Sequence, residues 1–149
     1  MNAHKNKIII ALICLIAVPS IFFLVKNKIH MKRVRAYAKQ EKFALAKHEL
    51  DKISCLSPKG LEDCKLMLDI YLKSYDLGNV DYITELCMEK GFKDKSVILH
   101  KSKARELRGD FAGALGVIGA ELGNSGSGSA ANDPDYFLTA AQILTRMNN

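Results

Sequence analysis

KFALAKHEL (Lys42–Leu50), NVDYITELC (Asn79–Cys87) and DFAGALGVI (Asp110–Ile118) are the stretches on which the fold turns. Set one above another, they place Phe43, Val80 and Phe111 in one column, Ala46, Ile83 and Ala114 in a second, and Leu50, Cys87 and Ile118 in a third. Within each stretch the columns are three and four residues apart, the spacing that gathers side chains on one face of an α-helix. The offsets between copies are 37 and 31, averaging 34 residues. A recurring unit of that length is a helix pair that cannot bury its apolar face alone and must stack on a neighbour.

Outward from these stretches, apolar residues recur at helical spacing and no segment shows sustained alternation, so the fold class is all-α. The pattern predicts helices at about 30–39, 42–54, 61–76, 80–90, 95–108, 111–122 and 134–147. Breaks are expected at Pro58 and Gly60, at Leu77-Gly78-Asn79, at Gly91 and at Gly109-Asp110. Asp133 and Pro134 suit the cap and first turn of the last helix. GNSGSGSAAND, residues 123–133, has the composition of a flexible linker.

In detail the chain resembles the tetratricopeptide repeat family. Tyr37, Phe43, Ala46, Leu50, Ile53 and Pro58 fall on that family's Tyr, aromatic, Ala, apolar, Ala and Pro positions, and Gly78-Asn79-Val80 and Gly109-Asp110-Phe111 fall on its tight turn. Lys95 stands where the family has Pro in the second unit, and Ile83 where it prefers Ala. The resemblance implies an α-solenoid of about three helical hairpins over residues 30–122, with 134–149 as a C-terminal capping helix. It also implies a concave groove lined by the first helix of each pair. Carried onto this chain, the groove positions are Arg35, Lys65, Leu68, Leu72, Tyr75, Leu99 and Lys103, a set suited to an apolar peptide with acidic or carboxylate character.

The other end of the chain differs in kind. Residues 1–7 form a short basic leader, and Ile8–Val25, IIIALICLIAVPSIFFLV, carries no charge over 18 residues. As a helix it would be about 27 Å long, enough to span a bilayer core, so a transmembrane helix is expected there, with a bend at Pro19. The competing cleaved leader lacks a small-x-small site near Val25-Lys26-Asn27-Lys28. The net charge of +6 divides unevenly: residues 1–42 hold nine basic and one acidic side chain, residues 43–149 hold 13 basic and 15 acidic. The excess therefore sits beside the apolar run, in the segment 26–35, where Lys26, Lys28, Lys32, Arg33 and Arg35 suit anionic headgroups better than nucleic acid.

Orientation cues conflict. The basic collar favours a cytoplasmic C-terminal domain by the positive-inside rule. Cys55 and Cys64, nine apart across LSPKGLED, are candidates for a disulfide and hence for an oxidising compartment such as a bacterial periplasm, though two ordinary thiols fit as well. The expectation adopted is a single-pass inner-membrane protein with a periplasmic domain; the alternative is a cytoplasmic one.

No catalytic, metal or cofactor set is evident. His4, His30, His48 and His100 are scattered without zinc-ligand spacing, and His48 and Glu49 are expected on a solvent face. Gly126 and Gly128 lack the strand and Gly-Lys-Ser/Thr of a phosphate loop. Ala112, Gly116 and Ala120 recur every fourth residue beside Gly113 and Gly119, a face for close helix approach. Its occupant would be a partner or the chain's own last helix, filled by Tyr136, Phe137, Leu138, Ile143 and Leu144. The expected function is a non-enzymatic membrane-anchored adaptor with protein partners, helping to assemble or stabilise a bacterial envelope complex of secretion or pilus type. The alternative is a cytoplasm-facing tethered regulator or targeting receptor.

Overall fold

The computed structural model describes residues 22, 25–53, 56–124 and 133–148. Among them are seven helices: α1 over 25–39, α2 Phe43–Leu50, α3 Leu61–Lys73, α4 Leu77–Glu89, α5 Lys95–Leu107, α6 Phe111–Asn124 and α7 Pro134–Met147. They belong to two compact units, the first ending at Leu56 and the second beginning at Ser57.

In the first unit, Val34 of α1 and Ala46 and Leu50 of α2 are fully buried. In the second, α3 packs on α4 and α5, α4 also packs on α5, and α5 packs on α6 and α7, with α6 against α7. The stacking is therefore regular. α7 stands toward α5 and α6 as α5 stands toward α3 and α4.

The regularity has a definite period. α3 and α5 begin 34 residues apart, at Leu61 and Lys95, and so do α4 and α6, at Leu77 and Phe111. The residue that turns the chain into each second helix has a positive φ: Glu41 at 56°, Tyr75 at 55° and Gly109 at 80°, again 34 apart. An aspartate then closes the turn. Asp76 accepts the Asn79 backbone N–H at 3.3 Å, and Asp110 accepts that of Gly113 at 2.9 Å, each satisfying a donor the helix start leaves unpaired.

This period corrects the register of the second sequence copy. The partner of Phe43 and Phe111 is Leu77, not Val80, and Val80 joins Ala46 and Ala114, all three fully buried. A slip of three residues is close to one helical turn, so apolar columns match nearly as well in either register. Gly78 accordingly lies inside α4, and Tyr75 holds the left-handed position expected of a glycine. The second predicted helix stops at Leu50 instead of 54, and α6 runs on to Asn124 into the expected linker. The rest of that linker, 125–132, lies outside the described residues. The cap of α7 is as expected, with Asp133 accepting the Asp135 N–H at 3.0 Å and Pro134 in the first turn.

The fold class needs one larger correction. Among the described residues no helix is long and apolar enough to cross a membrane. Of Ile8–Val25, only Phe22 and Val25 are described. The helix that carries the collar, α1, exposes Lys26, Lys28, Lys32, Arg33 and Arg35, charges that are costly to place in hydrocarbon. Among the described residues the architecture is all-helical, one hairpin in the first unit and stacked hairpins in the second.

Candidate functional site

α3 and α5 were expected to present the groove. Lys65, on the first turns of α3, is half-exposed and ion-paired with Asp94 at 3.4 Å and Glu62 at 3.9 Å. Asp94 is the cap of α5; the Ser96 hydroxyl and backbone N–H and the Lys65 ammonium hold its carboxyl below the usual range. Lys103 pairs with Glu106 at 2.8 Å. Both cations expected to meet a carboxylate ligand are therefore already engaged by carboxylates of the chain. An incoming acidic peptide would have to exchange for them, which costs little for the partly exposed Lys65 pair and more for Lys103, whose partner Glu106 is nearly buried.

The apolar groove positions divide. Leu68 is fully buried and belongs to the core, a correction that follows from its place on the inner side of α3. Leu99 packs against the cluster of Ile98, Ala114, Ile118, Tyr136 and Ile143, so part of its surface is also spent within the fold. Leu72 remains half-buried and Tyr75 is 75% exposed at the turn into α4. Arg35 lies on α1, in the other unit, and is exposed.

The cysteines are rearranged. Cys64 on α3 is bonded to Cys87 on α4, with the α-carbons 6.2 Å apart and both side chains buried. That replaces the expected pairing of Cys64 with Cys55, which lies outside the described residues, as does Cys14. The physical reason is the helix-on-helix geometry: Cys64 and Cys87 are on facing sides of one hairpin. Cys87 could have been paired from sequence only by knowing the register of α4.

Glu49 is not on a solvent face. Its side chain is 7% exposed and accepts from Lys52 at 2.7 Å and meets His30 Nδ1 at 2.8 Å, with Arg33 at 3.6 Å. The Lys52 hydrogen bond first, and the His30 one second, pull its carboxyl down to about 2. The signal missed was the i, i+3 relation of Glu49 and Lys52, which marks a carboxylate with company. His48 is exposed, and His100 Nδ1 lies 2.6 Å from the Ser96 carbonyl. Among the described residues no group of three or more His, Cys, Asp or Glu is placed to hold a metal ion.

Of the two occupants expected for the small-residue face, the chain's own last helix does not take it. Ala112, Gly116 and Ala120 are exposed, and a Cβ added at Gly116 or Gly119 would meet nothing within 4 Å. α7 docks elsewhere on α6, with Tyr136 and Ile143 against Ala114 and Ile118. Phe137, Leu138 and Leu144 are left exposed. Ion pairs fix both ends of α7: Lys95 reaches Asp133 at 2.9 Å and Asp135 at 2.7 Å, and Arg146 joins Lys103 on the nearly buried Glu106. The two aspartates, Asp135 foremost, raise the Lys95 ammonium above its ordinary range, and Lys95 in turn lowers Asp133.

No protein-family model, curated protein or solved structure matches the chain.

Proposed function

We propose that the chain is a non-enzymatic adaptor of tetratricopeptide type, which holds a protein partner on the α3–α5 side of its second unit. The observation that carries the proposal is the 34-residue frame of helix starts and left-handed turns, kept while the core residues inside it change. A frame conserved in this way serves to hold a surface, since each hairpin contacts only its neighbours and adds its own stretch of face. Half-buried Leu72, exposed Tyr75 and the exchangeable pair of Lys65 suit a peptide with an apolar side chain beside a carboxylate.

The Cys64–Cys87 bond favours an oxidising compartment for the second unit, because such bonds are rare where thiols are kept reduced. Partners would then be proteins of that compartment. The test is a photo-cross-linking residue at position 75 in the native cell, with and without Lys65→Glu. A discrete cross-linked protein that is lost in the double variant supports the adaptor. A folded chain that yields no cross-link, or one indifferent to the charge at 65, contradicts it.

A further inference from the structure

The inward side of α1 is marked by Val34, fully buried, and by His30 one turn before it. At 3.6 residues per turn, Val25, Ile29 and Ala36 come round to the side opposite Val34. All three are exposed, Val25 at 52% and Ile29 at 47%. Lys26 and Arg33 flank this stripe on one side and Lys28, Arg35 and Lys39 on the other, with Lys32 within it, and all six are exposed. Residues 25–39 include no acidic side chain.

The first unit has little of its own to set against these charges. Up to Leu56 the sequence holds 11 Lys and Arg but three acidic residues, Glu41, Glu49 and Asp51. Glu49 is taken up by Lys52 at 2.7 Å and His30 at 2.8 Å, with Arg33 at 3.6 Å, and Asp51 by Lys47 at 2.6 Å. The outer face of α1 is therefore a cationic surface that calls for anions from outside the chain.

The apolar stripe decides which anions. A soluble polyanion meets a basic face through charge alone and gains nothing from Val25 and Ile29 at its centre, on a face that is ordinarily polar when solvated. A bilayer surface offers both parts, a plane of phosphate groups and acyl chains beneath it. Lysine and arginine stems run along such a stripe while their charged ends rise to the headgroups. We infer that α1 lies in the plane of an anionic lipid surface, with Val25 and Ile29 about 5–10 Å into the boundary of headgroups and acyl chains and the flanking lysines against lipid phosphates. The contact is with a surface and crosses nothing. It goes beyond the adaptor proposal and does not depend on it, since it uses the first unit alone.

The chain has no Trp, so Ile29→Trp gives it a single indole at the stripe. The full chain is mixed with vesicles of phosphatidylcholine alone, or with an equal share of phosphatidylglycerol, brominated on the acyl chains so that they quench an indole that reaches them. The expected result is strong quenching at position 29 on the anionic vesicles and little on the neutral ones. The ratio of docked to free helix should fall about fivefold for each of Lys28→Gln and Lys32→Gln. Tyr82→Trp, at an exposed site on α4 of the second unit, should be quenched on neither. If Ile29→Trp lowers helicity, Val25→Trp, also at an exposed position, carries the same reading. No quenching at the stripe, equal quenching on both vesicles or at position 82, indifference to the lysine variants, or a like emission shift with polyglutamate or single-stranded DNA in place of lipid overturns the inference.

Discussion

The α3–α4 and α5–α6 hairpins share a backbone frame and almost none of the chemistry inside it. At the fourth position of the first helix, one has Cys64 in a covalent bond to its second helix and the other has Ile98 in an apolar cluster. At the eighth, one has fully buried Leu68 and the other Ser102, whose hydroxyl donates to a carbonyl of α6. At the turn, Tyr75 holds a left-handed conformation that Gly109 adopts without cost. The α1–α2 hairpin adds a third solution, with His30 in the column of Cys64 and Ile98 and bound to Glu49. The frame is thus set by turn and cap, and its interior accepts a disulfide, an apolar contact or a hydrogen-bonded carboxylate. Each solution has its own strength and its own sensitivity to conditions.

The largest difference should be between the covalent hairpin and the rest. Cys87→Ala, or reductant, should lower the stability of the second unit by about 3 kcal/mol, through the freedom returned to the unfolded chain between residues 64 and 87. Thermal unfolding with and without dithiothreitol measures it, and an unchanged transition would remove the disulfide from the account. The ionic hairpin should show next. Glu49→Gln should cost about 2 kcal/mol. Because the Glu49 carboxyl is held at about 2, below its ordinary value of 4.5, its contribution is present above pH 4.5 and fades as pH falls toward 2. Urea midpoints across that window should drop more steeply for the parent chain than for Glu49→Gln.

The two turns offer a reciprocal exchange. Gly109→Ala should destabilise by about 1–2 kcal/mol, and Tyr75→Gly should stabilise by about 1 kcal/mol, since a left-handed residue with a Cβ is strained. If both move the same way, the turns are not equivalent and the 34-residue frame is only a coincidence of lengths. Ser102→Ala should cost about 1 kcal/mol for its lost hydrogen bond. Smallest, Gly116→Ala and Gly119→Ala should each raise stability by about 0.5–1 kcal/mol, because the added methyl groups meet open space in a helix. Loss of stability there would mean that α6 is covered within the single chain.

Periodicity made the helices legible: the ends of α3, α5, α6 and α7 fall within a few residues of where the apolar spacing puts them. The cap of α7 was legible too, since Asp133-Pro134 is a local signal. The register of α4 was not. Its apolar residues fit either of two positions one turn apart, and the deciding contact, Asp76 with the Asn79 N–H, looks in sequence like any polar pair. With the register went the disulfide, because Cys87 finds Cys64 only once the facing sides of the hairpin are known. The stripe on α6 was visible as a face but not as an outward one. Hydropathy does not distinguish alanine and glycine turned inward from the same residues turned to solvent, and Phe137 and Leu144 looked like core for the same reason.

The register of the second hairpin is most directly tested by mapping the disulfide in the non-reduced chain. Trypsin separates the three cysteines concerned into Ile53–Lys59, Gly60–Lys65 and Ser74–Lys90. Mass spectrometry should find Gly60–Lys65 joined to Ser74–Lys90 through Cys64 and Cys87, with Cys55 in a separate peptide. Gly60–Lys65 joined instead to Ile53–Lys59, or Cys64 recovered as a free thiol from unreduced material, would contradict the hairpin on which the account is built.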